Sequence, residues 1–195
     1  MIYIEGPLMR CKYFLIFFFI FFLSTPASGG QIGEVAFPDR LPHGQSDLIL
    51  NGLAMRTFAF FDVYAAGLYL ASPSKDAPAI LRADAPRIMT MHFLRGVQAK
   101  QIAQAWQEGL DANAPSADAS LKDRFAQLAT MMEPMDRGDA LDCVYEPGAG
   151  STIRVKGAVK GIIPGKDFSD ALLACWIGPK PGPGEKFRAG ILGQP

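Results

Sequence analysis

Apolar residues follow one spacing in the first half of this chain and another in its middle. Leu48–Met55, Thr57–Leu70 and Arg87–Leu94 are dense runs rich in Phe, Tyr, Val and Leu, a composition that predicts strands. Asp76–Ala83 predicts a short helix around Ile80 and Leu81, closed off by Pro86. The period then lengthens. Ile102, Trp106 and Leu110 recur at every fourth residue, and Leu121, Phe125, Leu128 and Met132 make a second stripe at helical spacing. Asn113–Ala117, with a proline and small polar residues, joins these two helices. Strands return at Asp139–Tyr145 and Ser151–Val155 around the turn Glu146–Gly150, and again at Ala158–Ile163. Asp167–Trp176 predicts a last helix with Asp167 as N-cap, ended by Gly178-Pro179. The tail is rich in proline and glycine up to a short apolar turn near Phe187–Leu192.

Strands, two helices, strands and a helix describe an α+β domain, and hairpin connections favour an antiparallel sheet with helices on one face. At 195 residues the chain has room for one domain with a real core. Before it, Tyr13–Leu23 is an unbroken apolar run, preceded by Arg10 and Lys12 and followed by small residues. That pattern predicts a signal peptide over residues 1–29 and a single domain over 30–195, the alternative being an uncleaved anchor. The run rises only about 16 Å as a helix, too short for a hydrocarbon core of about 30 Å. No membrane span is therefore expected after processing, and export is, to the periplasm in a Gram-negative cell and otherwise to the medium. Either Met1 or Met9, just before the basic pair, could start translation.

Removing the leader takes away Glu5, Arg10 and Lys12 and leaves 17 basic and 18 acidic residues, no footprint for nucleic acid. Two cysteines remain, Cys143 and Cys175, each among apolar neighbours; buried free thiols are the expectation, although export permits a bridge. His43 and His92 have no acid or cysteine at metal-ligand spacing, so no metal or cofactor site is expected.

The chemistry concentrates in Asn51–Leu70 (NGLAMRTFAFFDVYAAGLYL). Arg56 stands there beside aromatic and small residues, and a guanidinium that cannot lose its charge needs a partner. It is either paired structurally, with Asp62 or Asp47, or free to hold a carboxylate or polarised carbonyl. Tyr64 offers a hydroxyl; Tyr69, of opposite parity, is expected to pack. In one continuous strand Arg56 and Tyr64 would lie about 26 Å apart, so they can cooperate only if the chain folds back near Thr57–Phe61, which lacks glycine, proline and asparagine. Ser169 is expected in the first turn of its helix, where free N–H groups favour anions. Trp106 and Trp176 are expected to line a core or cleft.

Asn51–Leu70 also resembles the signature of the chalcone isomerase-like family, with Gly52, Arg56 (one position later than usual) and the strand Val63–Leu70 matching. Thr90-Met91, the hairpin Asp139–Val155 and the helix Phe168–Gly178 (FSDALLACWIG) follow in the family's order. The resemblance runs from about Gly33 to Gly193. It implies an open-faced β-sandwich, a large antiparallel sheet covered by helices with a cleft between them. In the family's plant enzymes an arginine polarises an unsaturated carbonyl substrate during ring closure, helped by hydroxyls and amides. Arg56 matches that arginine and Ser169 the helix hydroxyl, and Tyr64 stands where the strand threonine would be. No tyrosine occurs around Gln98–Lys100, where the catalytic one should fall, and Trp106 or Gln107 replaces the asparagine. Fatty-acid-binding members instead hold a carboxylate with an arginine and a strand tyrosine, which Arg56 and Tyr64 match. The resemblance thus implies a non-enzymatic protein for a small amphipathic carboxylate, with Arg56, Tyr64, Ser169 and Trp106 as ligand-binding candidates. The alternatives are an isomerase or intramolecular lyase using Arg56, Tyr64 and Ser169, and an envelope scaffold. No protein partner can be named from the sequence.

Overall fold

The computed structural model describes residues 29–44 and 46–194. The leader expected over residues 1–29 lies, but for Gly29, outside them. Nine strands and five helices follow in the order β1 (Gly29–Ile32), β2 (Val35–Pro38), β3 (Arg40–His43), β4 (Ser46–Phe58), β5 (Phe61–Leu70), α1 (Ala77–Arg82), β6 (Arg87–Phe93), α2 (Ala99–Asn113), α3 (Ala119–Thr130), β7 (Ala140–Glu146), β8 (Gly150–Val155), β9 (Ala158–Ile163), α4 (Lys166–Ile177) and α5 (Glu185–Ile191). Strands β3 to β9 form one antiparallel sheet in chain order, and β1 and β2 pair separately. This is the expected α+β architecture, a curled sheet packed by helices.

The central strand shows why its apolar run does not alternate. Ala66, Leu68 and Leu70 of β5 are buried in the large core beneath the helices, with Phe168, Leu172 and Trp176 of α4. Ala65 and Tyr69 point the other way, into a smaller cluster with Phe37, Leu48 and Val144. Buried on both faces, such a strand needs no polar positions. Gly67 belongs to this second face because a side chain there would run into the Phe37 ring, 2.8 Å from where its Cβ would lie. The second cover, built by β1 and β2, is an addition to the fold expected from the sequence, in which Gly29–His43 predicted no strands.

Two further expectations are corrected. Thr57–Leu70 is not one strand: Phe58 and Phe61 pair directly across a two-residue turn at Ala59-Phe60, and Ala59 takes a positive φ of 53°. No residue in that turn advertises it by type, which is why the run looks continuous. The last helix runs from Lys166 to Ile177, with Gly165 rather than Asp167 at its N-cap position and no side-chain cap. Asp167 falls inside the first turn, where its carboxylate takes Arg124 of α3, 2.7 Å from Nη1. The caps of α1 (Asp76 to the Ala79 N–H, 3.0 Å) and α3 (Asp118 to the Leu121 N–H, 2.8 Å) use side chains in the usual way.

Candidate functional site

The fold-back near Thr57–Phe61 that cooperation between Arg56 and Tyr64 requires is present. The β4–β5 ladder makes the two residues direct partners. Directly opposed residues share a face, and Tyr64 shares the face of Ala66 and Leu68, so both point toward the helices. A bulge follows immediately at Arg56/Thr57. Helix α5 can lie close over this part of β4 because Gly52 has no side chain; a Cβ there would meet the Gly190 carbonyl oxygen at 2.3 Å.

Arg56 is partly buried. Its Nη1 donates to the Pro183 carbonyl oxygen at 3.1 Å, and its guanidinium lies 5.9 Å from the centre of the Phe58 ring. Neither acid considered as a structural partner takes it. Asp62 accepts instead from the Thr57 hydroxyl at 2.7 Å, and among the described residues no carboxylate stands within ion-pair distance of Arg56. Tyr64, also partly buried, accepts a hydrogen bond from Trp176 Nε1 at 3.2 Å. Its ring lies among Phe93 and Phe187 at centroid distances of 5.6 and 5.9 Å. Burial pushes the Tyr64 hydroxyl up to about 12, against smaller opposing pulls from the Trp176 bond and the Arg56 charge. The hydroxyl therefore stays protonated near neutral pH. It accepts from Trp176 and keeps its own proton to donate.

Trp106 does not reach this pair directly. It stacks edge-on against Trp176, centroids 5.2 Å apart, and its buried Nε1 has no hydrogen-bond partner. Ser169 is placed elsewhere. It is 4% exposed and accepts from Arg87 Nη2 at 2.7 Å. Arg87, equally buried, also holds Asp170 at 2.6 Å and the Ile80 carbonyl oxygen at 3.3 Å, and lies 4.7 Å above the Tyr145 ring. Lys166 closes the far side of Asp170 at 2.5 Å, and Tyr145 donates to Asp84 at 2.6 Å. Ser169 and Trp176 are seven residues apart on α4, about 10 Å along the axis. The structure thus brings Arg56, Tyr64 and, through Trp176, Trp106 into one neighbourhood and assigns Ser169 to a second cation. Sequence reading missed Arg87; its signal was a lone arginine opening the apolar run RIMTMHFL right after Pro86.

The interior between sheet and α4 is tightly filled. A cavity of about 20 Å³, room for one water, is lined by Arg87, Ser151, Ser169, Tyr145 and Trp176, and the Ser151 hydroxyl is buried without a partner. A shallow groove of about 260 Å³ runs between α1 and the α4–α5 connection, past Leu81, Arg82, Ile177 and Arg188. Neither reaches the 300–1,000 Å³ usual for a small-molecule site. Cys143 and Cys175 are buried free thiols, as expected. Burial pushes the Cys143 thiol far up and Cys175 to about 12, which leaves both inert as nucleophiles near neutral pH. Among the described residues no cluster of His, Cys, Asp or Glu could hold a metal, and no helix is long and apolar enough to cross a membrane. His43 does have an acidic neighbour after all, Glu146, brought from 103 residues away.

The crystal structure of the Arabidopsis thaliana fatty-acid binding protein AtFAP1 superposes with a TM-score of 0.64 at 18% identity, covering 81% of this chain and 91% of that one. At that identity the likeness speaks for the fold. Among curated proteins none matches the sequence. Residues 29–193 match the chalcone isomerase-like family, and with the match spanning most of the chain, the chain belongs to that family.

Proposed function

We propose that this protein is an exported, non-catalytic binder of a fatty acid or similar amphipathic carboxylate, with Arg56 and Tyr64 as the clamp for the head group. One observation carries the reading. Two hydrogen-bond donors, a guanidinium with no acid partner among the described residues and a hydroxyl whose proton is free, face the same side of two paired strands. A carboxylate has two oxygens to offer them, and charge-assisted bonds of this kind are the strong ones. The pair can bind and orient. It contains no base, because the Tyr64 hydroxyl is held protonated. AtFAP1, similar in fold, is a fatty-acid binding protein, which supports the choice of ligand class.

The carboxylate takes over from the Pro183 carbonyl on Arg56. The acyl chain then enters between sheet and helices, where Trp176 and Phe187 lie against Tyr64, and this requires the proline- and glycine-rich connection from Gly178 to Gly184 to move with α5. Native mass spectrometry of gently purified protein should show bound lipid. Protein that arrives empty and ignores added fatty acids in a titration would sink the reading. The alternative, an isomerase on an unsaturated carbonyl compound, loses its third group, since Ser169 is engaged by Arg87 rather than aimed at the Arg56–Tyr64 pair. A chalcone absorbance assay with wild type and Arg56→Ala tests that alternative directly.

A further inference from the structure

The β4–β5 turn carries an exposed aromatic tip that the head-group clamp does not use. Five large apolar side chains are exposed among the described residues, and three of them, Phe58 (67%), Phe60 (96%) and Phe61 (58%), stand together there. A two-residue turn is ordinarily made by glycine, asparagine or aspartate. Here Ala59 adopts the positive φ, so the tip is built from residues that suit neither water nor the turn.

Cations surround it. Arg95, exposed on the loop after β6, lies 4.4 Å from the centre of the Phe61 ring, and Arg56 flanks Phe58. Arg137, whose Nη1 donates to the Leu94 carbonyl oxygen, adds a third, offset by Glu34. Asp62, tied to Thr57, is the acid beside the turn. The tip therefore ends in apolar rings with a guanidinium collar just behind them.

We propose that this tip is a docking element for an anionic lipid surface: the phenylalanines enter the boundary between headgroups and acyl chains while Arg95 meets lipid phosphates. The geometry favours a bilayer over a protein. With about 200 Å² for a whole phenylalanine side chain, the three rings expose on the order of 450 Å². That is well short of the ~800 Å² per partner of a stable protein interface, and it projects as a point rather than a face. Insertion by a hairpin tip to a depth of about 5–10 Å needs no flat partner. Arginine suits the headgroup level because its planar donors fit phosphate while its stem packs on apolar surface. This inference stands whether or not Arg56 holds a free carboxylate.

The test places a fluorescent reporter at the tip of the full chain. Trp106 and Trp176 are buried, so Phe60→Trp adds the one exposed indole among the described residues. Vesicles of phosphatidylcholine and phosphatidylglycerol brominated near the headgroup should quench and blue-shift that emission. Val159→Trp, at an exposed position of β9, should be untouched, which separates insertion of the tip from tethering by any other segment. Adding Phe58→Ser and Phe61→Ser to Phe60→Trp should abolish the quenching with the far-ultraviolet dichroism unchanged. Arg95→Gln should raise the lipid needed for half-maximal quenching about fivefold, the effect of one charge at an anionic surface. No quenching at position 60, or equal quenching at positions 60 and 159, overturns the proposal. So does a wild-type dimer that Phe60→Ser converts to monomer without any vesicle effect, which would assign the tip to a second copy.

Discussion

Arg56 and Arg87 project from the same face of the same sheet, toward the same layer of helices, and do opposite things. Arg87 is buried and fully engaged, with Asp170, Ser169 and the Ile80 carbonyl on its donors and the Tyr145 ring beneath it. Arg56 is partly buried and makes one neutral contact, to the Pro183 carbonyl. A buried cation with its counter-ion in place is a structural rivet; an uncommitted cation beside a protonated tyrosine suits the receptor role proposed above. What distinguishes them is the partner delivered by α4 and by the tail, not the arginine itself. Breaking each partnership should therefore read out in a different quantity.

The largest effect is expected at the rivet. Asp170→Ala leaves the Arg87 charge buried without a carboxylate and should cost about 3–5 kcal/mol, a fall on the order of 10 °C in Tm for a domain of this size. Arg87→Met should cost less, because Leu68 and Met89 line the site and Asp170 keeps Lys166. Thermal unfolding of the two variants checks this order, and equal losses would mean the ion pair is not what holds α4 to β6. At the receptor the effect moves from stability to affinity. Arg56→Ala should weaken fatty-acid binding by about 1.5–3 kcal/mol, and lysine should be a poor substitute for the two-pronged guanidinium.

A smaller, shared effect is expected where receptor meets core. Tyr64→Phe removes the acceptor of Trp176 Nε1, leaving a buried donor unpaired at a cost of about 1–3 kcal/mol. It also removes the donor proton from the clamp, so stability and affinity should fall together. The smallest expectation concerns alkali. Tyr64, Tyr69 and Tyr145 are all pushed up to about 12, chiefly by burial. Their neutral forms are favoured by the fold, so this contribution is complete below the ordinary tyrosine value near 10 and is lost as pH rises from there through 12. Tm recorded between pH 9 and 12 should decline, and Tyr64→Phe should flatten part of that decline.

Much of this contrast was invisible along the chain, for physical reasons. Helices α2 and α3 were legible because their apolar stripes repeat at helical spacing, α4 because Gly178-Pro179 marks its end, and β7 to β9 because proline and glycine mark the turns between them. The β4–β5 hairpin was not, since Ala59-Phe60 carries no turn chemistry; only the family resemblance, which pairs Arg56 with Tyr64, pointed to it. Arg56 and Tyr64 themselves were legible, as a charge and a hydroxyl in an apolar run. Ser169 was identified as a hydroxyl in the first turn of its helix, but its partner, Arg87, lies 82 residues away, and periodicity carries no information about such pairings. The cover formed by β1 and β2 was missed because Gly29–Pro38 is short, mixed in polarity and stabilised by the packing of Phe37 on Gly67 rather than by its own pattern.

The clamp is tested most directly by titrating a medium-chain fatty acid into wild type and Arg56→Ala, with Tm recorded on the same preparations. The expected pattern is binding by the wild type, loss of most of that affinity in the variant, and a Tm within a few degrees of wild type, because no buried acid among the described residues is stranded when Arg56 goes. Unchanged affinity together with a large fall in Tm would make Arg56 a second rivet and contradict the account.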